Sequence, residues 1–197
     1  MLSEIRPAIV VTLFFTLLLG VGYPLAVTGV AQLAFPAQAG GSLIRNAHGQ
    51  VIGSRLLAQG FAGAAYLHPR PSAAGSNGYD ASGSSGSNLG PLNPALATRV
   101  AASAHDLEHE APGVPIPPDA VTTSGSGLDP DISPENALRQ APRVAAARGV
   151  PVATVQDVIR SHIVPPVMGV LGQPTVNVLV TNLALDAVAP PVHAPAR

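Results

Sequence analysis

An uncharged apolar run near the N-terminus constrains this chain more than any other feature. No charged side chain occurs from Pro7 to Ile44, and the segment from Ala8 to Phe35 is apolar almost throughout. A helix that crosses a bilayer needs about 20 such residues at a rise of about 1.5 Å per residue. The run is long enough to span a membrane, so the rest of the chain is predicted to lie on one side of it.

A cleaved signal peptide is the main alternative to an anchor. Residues 37–39, with the sequence Ala-Gln-Ala, resemble a cleavage site, and Arg6 supplies a thin positive flank. The apolar core of a signal peptide is usually about 7 to 15 residues long, which is much shorter than this run. An uncleaved transmembrane helix within residues 1–36 is therefore favoured.

The charges around this helix predict its orientation. Before the run, Arg6 and the N-terminal amine carry positive charge and Glu4 carries one negative charge. The next basic residue is Arg45. Basic residues favour the cytoplasmic side of a membrane. The weak bias predicts a cytoplasmic N-terminus and an exported domain.

Small residues in the anchor suggest a packing face. Gly22 and Ala26 have the spacing that lets a second helix approach closely, and Pro24 is predicted to kink the helix between them. Glycine is also common in spanning helices that have no such role. The hypothesis is that Gly22, Pro24 and Ala26 form a docking surface.

Composition excludes several functions. The 197 residues leave room for one small domain after the anchor. The chain has no cysteine, which excludes disulfides and thiolate ligands, and its ten basic residues are all arginine, which excludes a lysine-dependent phosphate loop. A net charge of -1 and the absence of tryptophan give no support to nucleic-acid binding. The chain is not predicted to be a self-sufficient ATPase.

The pattern after the anchor predicts an α+β fold, with one soluble domain over residues 37–188 and a disordered tail over residues 189–197. Asn93 and Ser133, each followed by proline, are the predicted helix N-caps, and β-branched runs mark strands. The predicted elements are a hairpin of residues 42–45 and 51–57, helices over residues 95–110 and 133–149, a helix from Pro151, and a strand over residues 175–180. Pro142 is predicted to break or kink its helix, and the hairpin and the late strand are expected to share one sheet.

Residues 62–90 are dense in Gly, Ser, Ala and Pro, a composition typical of a flexible linker. Tyr66, Leu67, Tyr79 and Leu89 nevertheless place apolar side chains along it. A loop of this length in a compact domain is usually functional or disordered. We expect an ordered segment.

A pattern SGSxLxP occurs twice, in residues 85–91 and 124–130. A loop of small residues before a helix exposes N–H groups, hydroxyls and carbonyls, which could bind an ion or a partner chain. Glycine and serine also serve tight turns, so a purely structural role is the alternative. Both loops are expected to be ordered, with Leu89 and Leu128 as matching buried side chains. The candidate partner or ligand residues are Ser84, Ser85, Gly86, Ser87, Asn88, Ser124, Gly125, Ser126 and Asp129.

The stretch from His105 to His109 matches the H-x-x-E-H arrangement of some zinc peptidases, with Glu108 as the base. The motif is short, ends a predicted helix and has no obvious third ligand. A solvated helix end is the favoured interpretation. No catalytic residue and no metal ligand is therefore assigned.

Stretches along nearly the whole chain resemble the KdpC family, the C subunits of the bacterial Kdp potassium-transporting P-type ATPases. The paired SGSxLxP blocks are the most specific of them. The others are residues 23–25, 27–29, 31–32, 35–36, 41–44, 70–73, 78–81, 123–134, 142–145 and 176–179.

The resemblance implies a single-pass inner-membrane subunit that does not itself hydrolyse ATP. Its implied partners are a channel-like potassium-binding subunit, a P-type ATPase subunit and a small helical subunit. The family is usually described as a catalytic chaperone that raises the ATP affinity of the pump subunit. An exported domain cannot touch cytosolic ATP, so we expect a role in assembly and in shaping the external potassium entrance. ATP and potassium are expected to act on the whole complex, with no cofactor bound tightly by this chain.

Two other functions stay open at this stage. The chain could be a free-standing, membrane-anchored envelope protein that binds a small solute through its Gly/Ser loops. It could also be a zinc hydrolase built on His105 and His109.

Overall fold

The structure is a computed structural model that describes residues 2–191, apart from the side chain of Leu2. The chain divides into two compact units between Ile52 and Gly53. The first unit contains the apolar run and most of the hairpin.

One long helical stretch, Ile5–Ala34, is long and apolar enough to cross a membrane, with a mean hydropathy of 2.1. It consists of helix α1 (Ile5–Leu17), a π-helical turn (Leu18–Gly22) and helix α2 (Tyr23–Ala34). Pro24 lacks an N–H group, and its ring would clash with the carbonyl of Gly20 in a regular α-helix. The wider π turn directly before Pro24 is where the structure accommodates this ring.

The helix ends at Ala34, within the predicted residues 1–36, and a short helix α3 (Pro36–Ala39) follows. Strands β1 (Leu43–Arg45) and β2 (Val51–Ser54) then form the predicted hairpin. The side-chain oxygen of Asn46 accepts hydrogen bonds from the N–H groups of His48 and Gln50, both at 3.0 Å. This local bonding fixes the turn.

The second unit contains helices packed on a small sheet. Its elements are α4 (Pro94–Glu110), α5 (Pro118–Val121), β3 (Asp131–Ile132), α6 (Pro134–Arg148), α7 (Val152–Ser161), β4 (Ile163–Val164), β5 (Thr175–Asn177) and α8 (Val178–Val188). The predicted caps are confirmed, since Asn93 accepts from the N–H of Ala95 and Ser133 accepts from that of Asn136. Gly149 ends α6 in the left-handed conformation, with φ of 66°.

The sheet of the second unit has the order β3-β5-β4, with both pairs antiparallel. Val176 pairs with Ile132 on one side and with Ile163 on the other. The expectation that the hairpin would share this sheet is wrong, because β3 and β4 occupy both edges of β5 and the hairpin strands pair only with each other.

The predicted strand over residues 175–180 is only partly right. The strand ends at Asn177, whose side chain caps α8 by accepting from the N–H of Val180. Burial explains the change, because Val178, Leu179 and Leu185 of α8 lie in the core. The tertiary packing outweighs the β-propensity of the valines.

Pro142 does not interrupt α6, so the break is wrong, while the alternative of a kink stays a prediction. The proline lies on the exposed side of the helix, between buried Ala141 and Val144. On that side, water can bond the carbonyl that the proline ring leaves without a donor. The buried side holds the helix in place.

The core lies between α6, α7, α8 and the sheet. Its fully buried members include Ile132, Ala141, Val144, Val155, Ile159, Val176 and Leu185. The predicted disordered tail begins at Ala189, but Ala189 itself is buried and hydrogen-bonded. Residues 192–197 of that tail lie outside the described residues.

Candidate functional site

The Gly/Ser-rich segment is irregular but closely bonded to helices. Leu67 is buried, its N–H donates to Asn182 Oδ1 over 2.7 Å, and its carbonyl accepts from Asn182 Nδ2 over 3.0 Å. Gln140 makes the same reciprocal pair with the backbone of His68, at 2.8 and 3.1 Å. The two side-chain amides take the place of a neighbouring strand, so this part of the segment is held as an extended chain.

Two arginines of α6 reinforce this attachment. Arg143 donates to the carbonyls of Ala64 and Tyr66 at 2.8 and 3.0 Å and pairs with Glu110 at 2.9 Å. Arg148 is buried and donates to the carbonyls of Ala65 and Ala189 and to the Asp186 carboxylate. Its guanidinium also lies over the Tyr66 ring, 5.1 Å from the centroid.

The two SGSxLxP blocks lie against each other. The N–H of Ser85 donates to the carbonyl of Ser126 over 2.9 Å, and the Ser84 hydroxyl donates to the same carbonyl over 3.0 Å. A Cβ placed on Gly86 would lie 3.0 Å from the carbonyl oxygen of Gly125. The backbones of the two blocks therefore approach as closely as glycine allows. The two copies of the SGSxLxP pattern form one structural unit.

Gly127 lies at the centre of this structure. It has φ of 66°, and a Cβ there would lie 2.8 Å from the amide nitrogen of Ala74. Its carbonyl accepts from the Ser72 hydroxyl over 2.6 Å, and that hydroxyl oxygen accepts from the N–H groups of Ala74 and Tyr79. Sequence reasoning missed Ser72, although it lies in a stretch that the family resemblance covers.

Tyr79 closes the same loop from the other side. Its hydroxyl donates to the carbonyl of Arg70 over 2.8 Å. Burial raises the pKa of the Tyr79 hydroxyl, so the neutral donor persists at physiological pH. The loop before the first block is thereby tied to the strand-like segment around Arg70.

Most hydroxyls of the paired loops bond within the domain. Ser126 Oγ accepts from the N–H of Leu128 at 3.1 Å and lies 3.3 Å from Ser124 Oγ, and Ser85 Oγ donates to the carbonyl of Gly86. The one charge in the blocks, Asp129, pairs with Arg70 at 2.9 Å. The paired loops thus present a largely neutral surface of small groups.

Ser87 and Asn88 differ from the other candidates. Asn88 is exposed and has φ of 52°, which asparagine tolerates better than most residues. Within residues 2–191, no hydrogen bond of either side chain is found. Leu128 is buried as expected, whereas Leu89 is only half-buried. The predicted burial is therefore confirmed for Leu128 and is wrong for Leu89.

A cleft of about 840 Å³ opens beside Asp129. Prolines and aliphatic side chains form much of its wall, and carboxylates and two arginines lie along it. Its aspartates already bond within the domain: Asp119 accepts from Ser133 and Asn136, Asp131 accepts from Asn177, and Asp129 pairs with Arg70. The lining residues include Arg70, Ile116, Pro117, Ile132, Leu138 and Arg139.

His105 and His109 do not form a metal centre with other residues that the structure describes. The Nε2 atoms of His105 and His109 lie 3.2 Å apart, and the Glu108 carboxylate accepts from the N–H of Gly113. In the part of the chain that the structure describes, no group of three or more His, Cys, Asp or Glu side chains could hold a metal ion. Nothing in the geometry extends the zinc-peptidase motif.

His68 is a packing residue. Burial lowers the pKa of His68, and the Arg143 guanidinium lowers it further, while Glu110 acts in the opposite direction. One ring nitrogen lies 3.2 Å from the carbonyl of Gly63, so the neutral ring can donate there.

Gly22, Pro24 and Ala26 all lie exposed on the anchor helix. A Cβ on Gly22 would meet only the carbonyl of Leu17, at 3.7 Å. The helix surface at this position is open, as a docking face requires, and its role stays a prediction.

Fold and sequence together define a class: a chain in which an N-terminal helix long and apolar enough to cross a membrane is followed by a small α+β region. The family described as "KdpC: K+-transporting ATPase, c chain" matches residues 5–187. Potassium-transporting ATPase KdpC subunits are similar over nearly their whole length, with 64% identity for that of Caulobacter sp. (strain K31), covering 95% of both chains. The subunit of Beijerinckia indica is 57% identical over 95% of both chains, and that of Methylobacterium nodulans is 48% identical over 96% of this chain and 99% of its own. The chain belongs to the KdpC family, which supports an accessory role in potassium transport.

Proposed function

We propose that this chain is a non-catalytic subunit of an ATP-driven, high-affinity potassium uptake complex. Its external domain assists assembly and shapes the route by which potassium enters. The observation that carries the proposal is the joined pair of neutral loops, in which Ser85 contacts Ser126 and Asp129 is neutralised by Arg70. Hydroxyls and carbonyls on a neutral surface suit weak contact with a partially hydrated cation or with partner loops.

The same surface is poorly suited to nucleotide. Tight phosphate binding usually uses arginine, lysine or free N–H groups at a helix start. The chain has no lysine, and Arg70, Arg143 and Arg148 are engaged by carboxylates and carbonyls of the domain. The catalytic-chaperone description of the family is therefore the competing account. We propose that ATP acts on the assembled complex and is not bound by this chain.

The proposed partners are a channel-like potassium-binding subunit, a P-type ATPase subunit and a small helical subunit. The anchor helix would pack against one of them through Gly22 and Ala26. Copurification tests this membership: a tagged chain, solubilised in mild detergent from cells that express the whole operon, should carry the ATPase subunit with it. A chain that elutes alone would instead support a free-standing envelope protein that uses its cleft or loops for a solute.

The proposed location is the inner membrane, with the N-terminus in the cytoplasm and the domain outside. The chain has no cysteine, so single cysteines can report sidedness. Leu92→Cys, at a residue 94% exposed, should react with an impermeant maleimide on intact spheroplasts. Ser3→Cys, before the helix, should react only after permeabilisation. The reverse pattern would contradict the proposed topology.

A further inference from the structure

The loop between β4 and β5 carries an apolar surface that the proposed function does not use. We call residues 165–171 the apolar tip. Val167, Met168, Val170 and Leu171 are 66%, 88%, 80% and 61% exposed. Single exposed apolar side chains are ordinary, but four in one short turn form a contiguous patch of the kind that marks an interaction surface.

The tip is a hairpin held by backbone hydrogen bonds. Val167 and Leu171 exchange N–H to carbonyl hydrogen bonds of 2.9 and 3.0 Å. The N–H of Gly169 donates to the carbonyl of Pro166, and that of Val170 to the carbonyl of Val167. Bonding inside the turn satisfies these groups, and shallow insertion at the headgroup boundary leaves the other backbone groups of the tip within reach of water and headgroups.

The chemistry of the tip favours lipid over a protein partner. No polar side chain occurs in residues 165–171, and no Asp, Glu or Arg occurs from Ile163 to Leu185. Protein interfaces usually combine an apolar centre with a rim of hydrogen-bonding groups, which this tip lacks. The interior edge of a bilayer requires only apolar surface.

A bilayer is also within reach. The helix Ile5–Ala34 can span the membrane, and the second unit begins at Gly53. Residues 35–52 connect the two, and a covalent tether of this kind raises the effective concentration of lipid around the domain.

We propose that the apolar tip inserts into the boundary between headgroups and acyl chains of the leaflet that the domain faces. It would give the domain a second membrane contact besides the anchor. The proposal does not depend on the potassium role or on which side of the membrane the domain occupies.

The chain has no tryptophan, so a single substitution supplies a unique fluorophore. The full chain with Met168→Trp, or with Val170→Trp, is placed in nanodiscs of phosphatidylcholine with and without brominated acyl chains. Leu92→Trp is the control, because Leu92 is also almost fully exposed, at 94%, but lies outside the tip. Both tip variants should emit at shorter wavelength than the control and lose intensity on brominated lipid, while the control should not.

Adding Val170→Asp to Met168→Trp should remove the quenching, because a carboxylate opposes insertion. Emission like that of the control in both tip variants would overturn the proposal. So would a blue shift without quenching that occurs only in the assembled complex, since a protein partner would then cover the tip.

Discussion

The N–H of Ser85 donates to the carbonyl of Ser126 across 2.9 Å and joins the two repeated loops of the domain. The bond lies beside the close approach of Gly86 to Gly125 and beside Gly127, which has a positive φ. The repeat is thus one structure with two halves, and Gly86 and Gly127 are placed where side chains would push the halves apart.

Gly127→Ala should destabilise the domain. The substitution puts a Cβ at φ of 66° and 2.8 Å from the amide nitrogen of Ala74. Strain of this kind amounts to about 1 to 3 kcal/mol. Thermal unfolding of the purified chain, followed by circular dichroism, measures the loss. Gly125→Ala is the matched control, because a Cβ there has nothing within 4 Å, and equal losses in the two variants would count against this packing.

Arg148→Met should cause a larger loss of stability. It leaves the Asp186 carboxylate and the carbonyls of Ala65 and Ala189 without their common donor. Asp186 is 29% exposed and can be hydrated, but each buried carbonyl left without a donor typically costs about 1 to 3 kcal/mol. Arg160→Met removes an exposed arginine that pairs with Asp157 and should change stability by about 0.5 kcal/mol or less. Urea unfolding midpoints compare the two, and similar shifts would show that the Arg148 network contributes little.

Stability should fall as the pH is lowered through the ordinary titration range of histidine. The pKa of His68 is lowered in the folded state by burial and by Arg143. As the pH falls below about 6.5, the unfolded chain takes up a proton that the folded chain resists. The free energy of unfolding therefore falls as the pH is lowered from about 6.5 to the pKa of His68 in the folded state, and this effect ends below that pKa. The measurement is the melting temperature of the chain at several pH values between about 8 and 5.

His68→Gln should flatten that pH dependence. His48→Gln, in the exposed hairpin turn, should retain the parent profile. An unchanged profile in His68→Gln would mean that other groups carry the acid sensitivity.

Gly22→Leu should weaken recovery of the assembled complex, because a bulky side chain blocks close helix approach at that face. Gly20→Leu is the control. Two residues along a helix lie on nearly opposite sides, and a Cβ at Gly20 meets nothing within 4 Å. The yield of ATPase subunit that copurifies with each tagged variant gives the comparison. Wild-type recovery of Gly22→Leu would mean that the helix only anchors.

Local signals were sufficient for much of the fold. The anchor, the hairpin and the capped helices starting at Pro94 and Pro134 follow from charge, turn residues and N-caps close in sequence. Helix α8 was missed because its valines favour a strand, although Asn177 is an N-cap that the sequence displays. Pro142 misled the prediction because its tolerance depends on which side of α6 faces water.

In the candidate site, too, some features have a local signal in the sequence and others do not. The repeated SGSxLxP pattern drew attention to both loops, but it did not predict that Ser85 of one loop contacts Ser126 of the other. Ser72, Asn182 and Gln140, which hold the neighbouring segment, were not found. Each acts on backbone far away in sequence, and a single polar side chain gives no local sign of a distant partner.

Alanine at Ser85, Ser87, Ser124 and Ser126 tests the central claim most directly. The four changes remove hydroxyls but keep the backbone bond between Ser85 and Ser126, so the loops should stay joined. ATPase activity of the assembled complex is measured against potassium at saturating ATP, and against ATP at saturating potassium. The account predicts a weakened potassium response with an unchanged ATP dependence. A raised ATP requirement, with assembly and potassium response intact, would contradict it and support the catalytic-chaperone account.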